Sequence, residues 1–144
     1  VTELDAFVNA RRAVPFEYFQ HDCAHVAADW VKLRTGHDAL EPLRGSGAPL
    51  DGGSLLRALR FVRQAGAGAP ARESFIAAGE FLLGPSRHGL TARRGDVVLA
   101  RSGGRVGRVS GYSFGVCTGS HIVAPGTDRL EFLPITSAEA AWSL

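Results

Sequence analysis

The periodicity of this chain changes at Gly84-Pro85, and no other feature limits its possible folds as strongly. Before that point apolar residues recur at three- and four-residue spacing. After it, short runs rich in Val, Phe, Ile and Leu are separated by Gly-containing turns. Leu4, Phe7 and Val8 predict a first helix over Leu4–Arg12. Asp22 suits the N-cap of a second helix from Cys23 to Thr35, because its carboxylate can accept from first-turn amides, and Gly36 is a natural stop. His37–Gly53 reads as a loop. Ser54–Ala65 places Leu55, Leu56, Leu59 and Val62 on one face of an amphipathic third helix, and Ser74–Leu83 is a weaker helical segment.

Strands are predicted over Asp96–Arg101, Tyr112–Thr118, His121–Ala124 and Arg129–Pro134, with Val106–Val109 as a further candidate. Thr136-Ser137-Ala138-Glu139 has the spacing of a capping box and predicts a short last helix over 137–143. Helices followed by antiparallel strands make an α+β domain, with N-terminal helices packed on a C-terminal antiparallel sheet. All 144 residues read as a single domain, its helical half about 1–84 and its sheet half about 95–135.

Composition removes several classes of function. A hydrophobic share of 45% with 21% charged residues is that of an ordinary globular chain. The formal net charge is only +2 and the arginines are scattered, so no nucleic-acid partner is expected. No run approaches the ~18 apolar residues of a membrane span, and Val1-Thr2-Glu3-Leu4-Asp5 does not open a signal peptide. Cys23 and Cys117 form no disulfide framework and read as free thiols, Cys117 as a small core residue.

The chemistry concentrates in His21-Asp22-Cys23-Ala24-His25. A thiol at a helix N-terminus is expected to have a lowered pKa, which makes Cys23 the candidate nucleophile. It needs a base, usually an imidazole, oriented by a third polar group. Two helical positions turn His25 about 200° away from Cys23, onto a polar face with Asp29 and Lys32. His21 in the preceding loop and His121 at the head of a strand remain as candidate bases. The alternation of His, Cys and His matches no usual zinc spacing, so neither a metal nor another cofactor is expected.

Further pieces form a pattern: Asp22-Cys23, Ala27-Ala28-Asp29-Trp30-Val31, Thr35-Gly36-His37-Asp38, Arg94-Gly95-Asp96-Val97-Val98-Leu99, Phe114-Gly115-Val116-Cys117-Thr118-Gly119 and Ala141-Trp142. This pattern resembles the NlpC-like cell-wall peptidases, and within them a phage-associated branch encoded among tail genes. The resemblance implies a papain-like α+β fold with Cys23 at the nucleophile position. It also implies a histidine base where this chain has Ser113, and a third polar group near Val123. A serine is no general base near neutral pH and valine cannot orient an imidazole, so the resemblance implies a pseudoenzyme.

Two functions are therefore expected to compete. One is a structural or assembly component of a phage-like tail tip or hub. It would be made in the bacterial cytoplasm without a signal peptide and carried in the virion. Its partners would be other tail-tip or hub proteins, with host peptidoglycan as a further one. The alternative is an active thiol peptidase, a peptidoglycan hydrolase that uses Cys23 with His121 or His21.

Overall fold

The computed structural model describes residues 2–17, 21–44, 61–102 and 111–144. Helix α1 spans Glu3–Arg11 and starts in a reciprocal capping box: Thr2 accepts from the Asp5 amide while the Asp5 carboxylate accepts from the Thr2 amide. Helix α2 spans Cys23–Thr35. Asp22 caps it by accepting from the His25 amide at 2.8 Å, and Gly36 ends it in the left-handed region at φ 77°, where a side chain would be strained. Its inner face, Val26, Ala27, Ala28, Trp30 and Val31, is buried against the sheet.

The expected loop over His37–Gly53 contains a short helix, α3, over Glu41–Arg44. It is preceded by a turn in which the Asp38 carboxylate accepts from the Leu40 amide. The end of the expected third helix is helical over 61–65, while its start and the candidate strand Val106–Val109 lie outside the described residues. Helix α4 spans Ala71–Leu83 and begins three residues before the expected Ser74, because Pro70 already has a φ of −56° that suits a helix entry.

Six strands follow: β1 Arg87–His88, β2 Val97–Arg101, β3 Tyr112–Cys117, β4 His121–Pro125, β5 Leu130–Pro134 and β6 Ala138–Trp142. They form one antiparallel sheet in the order β1-β6-β2-β3-β4-β5. The α+β expectation holds, with helices and sheet sharing a core.

The C-terminal expectation does not hold. Residues 138–142 are a strand inserted between β1 and β2, preceded by a 3-10 turn over Ile135–Ser137. Glu139 does not cap a helix. Its carboxylate meets Arg72 at 3.1 Å and Arg101 at 2.8 Å. Alanine's helix preference is worth only tenths of a kcal/mol per residue. It is outweighed by hydrogen bonding to two strands and by burial of Ala140, Ala141 and Trp142.

Alternation along β2 sends Val97 and Leu99 to one face and Val98 and Ala100 to the other. The first face meets α1 and α2 through Phe7, Val8, Val26, Trp30 and Val31. The second is equally dry, formed by Val98, Ala100, Cys117, Ile122, Ala124 and Ala141, with Ala92 and Ile135 packed against it. Both tryptophans anchor to backbone at glycines. Trp30 donates to the Gly95 carbonyl at 2.8 Å, and Trp142 to the Gly84 carbonyl at 3.0 Å. The Gly95-Asp96 motif is structural: Gly95 takes a φ of 93°, and the Asp96 carboxylate accepts from the Arg93 amide and pairs with Arg87.

Candidate functional site

Cys23 is the first residue of α2, and the packing of α2 on β3 brings the start of that strand to it. The Phe114 amide and the Ser113 hydroxyl reach the sulfur and favour its thiolate, as does the Ala24 amide of its own helix. These donors lose to two opposing effects. Desolvation of the enclosed sulfur is the larger, and the negative charge of Asp22 adds to it, so the thiol pKa is raised above its ordinary value. This corrects the expectation drawn from helix position alone. The macrodipole acts on Cys23, but burial outweighs it.

Ser113 is itself buried, and its hydroxyl lies 3.1 Å from the Phe114 carbonyl. A hydroxyl has one proton to donate. If that proton goes to the carbonyl, the serine oxygen is left as an acceptor for the thiol hydrogen. Whichever way that proton points, the serine supplies no group that can take the thiol proton near pH 7, and desolvation with the Asp22 charge keeps the thiol neutral.

The histidines fall elsewhere. His25 is half-buried and pairs with Asp22, its Nδ1 lying 2.8 Å from Oδ1. The ring thus meets the N-cap carboxylate three positions back, while Asp29, expected on the same polar face, lies 3.7 Å from Arg11. His121 lies opposite Thr118, whose amide donates to its carbonyl at 2.8 Å, and so sits about 17 Å along the sheet from Ser113 at ~3.4 Å per residue. Its ring is exposed and meets Ser120 at 3.0 Å. His21 is buried, and neither of its ring nitrogens has a hydrogen-bond partner among the described residues, so it makes no such bond to Cys23.

Val123 pairs with Val116 inside the core and offers no polar atom for orienting a ring. Ala24, Ala28, Val31, Leu82 and Phe114 help to line a wholly apolar cleft of ≈ 40 Å³ that does not include Cys23. No group of three or more metal-ligating side chains occurs among the described residues. Nor, among them, is any helix long and apolar enough to cross a membrane.

Two features escape a reading of the sequence. The Phe114 amide is a backbone group with no residue signature, and the Asp22–His25 pair was legible only as a spacing of three positions at a helix start.

The fold and site define an α+β domain with a half-buried, hydroxyl-partnered thiol at a capped helix N-terminus. The chain belongs to the family described as "Domain of unknown function (DUF6950)", which matches residues 1–144. No curated protein sequence and no solved structure matches it.

Proposed function

We propose that this protein is a structural or assembly component of a phage-like tail tip or hub, built on a papain-like, NlpC-like fold that has lost its peptidase chemistry. The observation that carries the loss is the Cys23–Ser113 contact: the residue that meets the thiol is a hydroxyl, where an active relative would have an imidazole. Loss of a general base forfeits ~10²- to 10⁴-fold in rate. Raising the thiol pKa adds to that by depleting the nucleophilic form at neutral pH. The tail assignment rests on the sequence resemblance. A virion part needs a stable surface and a rigid core, which the sheet with two dry faces provides.

Mass spectrometry of purified virions or tail complexes tests the assignment, and the chain is expected at defined stoichiometry with tail-tip proteins. Its absence from such particles would overturn the tail reading. Release of muropeptides from purified cell wall by the wild-type protein, lost in Cys23→Ala, would overturn the pseudoenzyme reading in favour of a thiol hydrolase.

A further inference from the structure

We propose that His21 is a pH-sensitive catch that holds the entry to α2 closed while its ring is neutral and opens it when the ring gains a proton. The imidazole is 7% exposed, and both nitrogens lack a hydrogen-bond partner among the described residues. A buried polar ring without partners is costly, and a buried charge without a partner costs far more. The backbone of His21 is clasped to Glu17 by two hydrogen bonds: the His21 amide donates to the Glu17 carbonyl at 2.8 Å, and the Glu17 amide donates back at 3.2 Å. The next residue is Asp22, the N-cap of the helix that carries Cys23.

The charged groups around the ring explain why a proton is not tolerated in place. Arg11 of α1 repels an imidazolium, and its guanidinium is fixed over the Phe7 ring at 3.8 Å. Asp29 of α2 would attract it but faces Arg11, and Asp22 would attract it but accepts from the His25 amide and meets the His25 ring. Desolvation is the largest influence on the ring and holds its pKa below the ordinary histidine value. A histidine that ionises more easily in the open state than in the closed one favours opening as pH falls below about 6.5. Above that pH both states are neutral and the catch is shut. Below it the ring gains a proton and leaves its site, the Glu17–His21 clasp parts and the N-cap of α2 loosens.

Hydrogen exchange read by NMR tests the catch on the intact chain. Protection factors of the Glu17 and His21 amides are expected to fall roughly tenfold or more between about pH 7.5 and about pH 5, in step with protonation of the ring, while amides of β2 hold theirs. In His21→Phe, which keeps a buried ring without a titrating nitrogen, the same amides should keep their protection over that range. Flat protection in the wild type, or an equal fall in His21→Phe, overturns the proposal. If His21→Phe does not fold, the wild-type profile against the ring's own titration decides: a fall in step supports the catch, and a flat profile overturns it.

Discussion

The Ser113 hydroxyl stands within hydrogen-bonding reach of the Cys23 thiol, joining the first residue of α2 to the second residue of β3. That contact decides the chemistry available at the site. A serine can orient a thiol but cannot remove its proton near pH 7.

Ser113→His is expected to restore part of a catalytic pair. An imidazole at this position would stabilise the thiolate and lower the thiol pKa. The iodoacetamide rate of Cys23 at neutral pH should rise about tenfold or more over the wild type, whose rate should be low and should climb only at alkaline pH. The extra ring volume at a buried site should cost about 1–3 kcal/mol of stability, seen in urea unfolding.

Asp22 carries two roles that two substitutions separate. Asp22→Asn retains an N-cap acceptor and removes the negative charge that raises the Cys23 pKa. Stability should then change little, while the alkylation profile of Cys23 shifts to lower pH. Asp22→Ala removes the cap as well and should cost about 1 kcal/mol, measured by urea unfolding, with a similar shift of the alkylation profile.

Gly79 lies inside α4 with no room for a side chain. A Cβ there would overlap the Trp142 ring, which packs tilted at 50° to the Phe114 ring with centroids 6.0 Å apart. Gly→Ala in an exposed helix interior stabilises by up to about 1 kcal/mol. Here the sign should reverse, with Gly79→Ala losing about 1–3 kcal/mol in denaturant unfolding as the overpacked ring is displaced.

Removal of residues 138–144 should abolish cooperative folding, seen as loss of a single thermal transition. An appended C-terminal helix could be cut with modest loss. Strand β6 cannot, because β1 and β2 both bond to it and Trp142 is 1% exposed in the core. Trp142→Ala alone should cost about 3–5 kcal/mol.

Helix α2 and four of the strands were legible because their signals act over a few residues. Asp22 and Gly36 bound α2 at the residues their capping chemistry indicates, and Val97–Arg101 to Leu130–Pro134 follow the runs of β-favouring residues between turns. The candidate nucleophile was legible for the same reason, since helix caps are local. The C-terminal segment misled for a local reason too. Thr136-Ser137-Ala138-Glu139 has capping-box spacing and alanines follow, yet two neighbouring strands wait on either side of it in space.

Most of what bears on reactivity required distant atoms, the charge of Asp22 and the Ala24 amide being the local exceptions. The pleat and the register place His121 at the far end of the β3–β4 pair and bring Ser113 and the Phe114 amide to Cys23. Enclosure by both halves of the chain raises a thiol pKa that its helix position would lower. The sequence alone determined where the helices begin and which thiol sits at a cap, because capping and periodicity are short-range. The tertiary structure decided that this thiol stays neutral beside a hydroxyl, because desolvation and cross-strand proximity depend on atoms that only folding brings together.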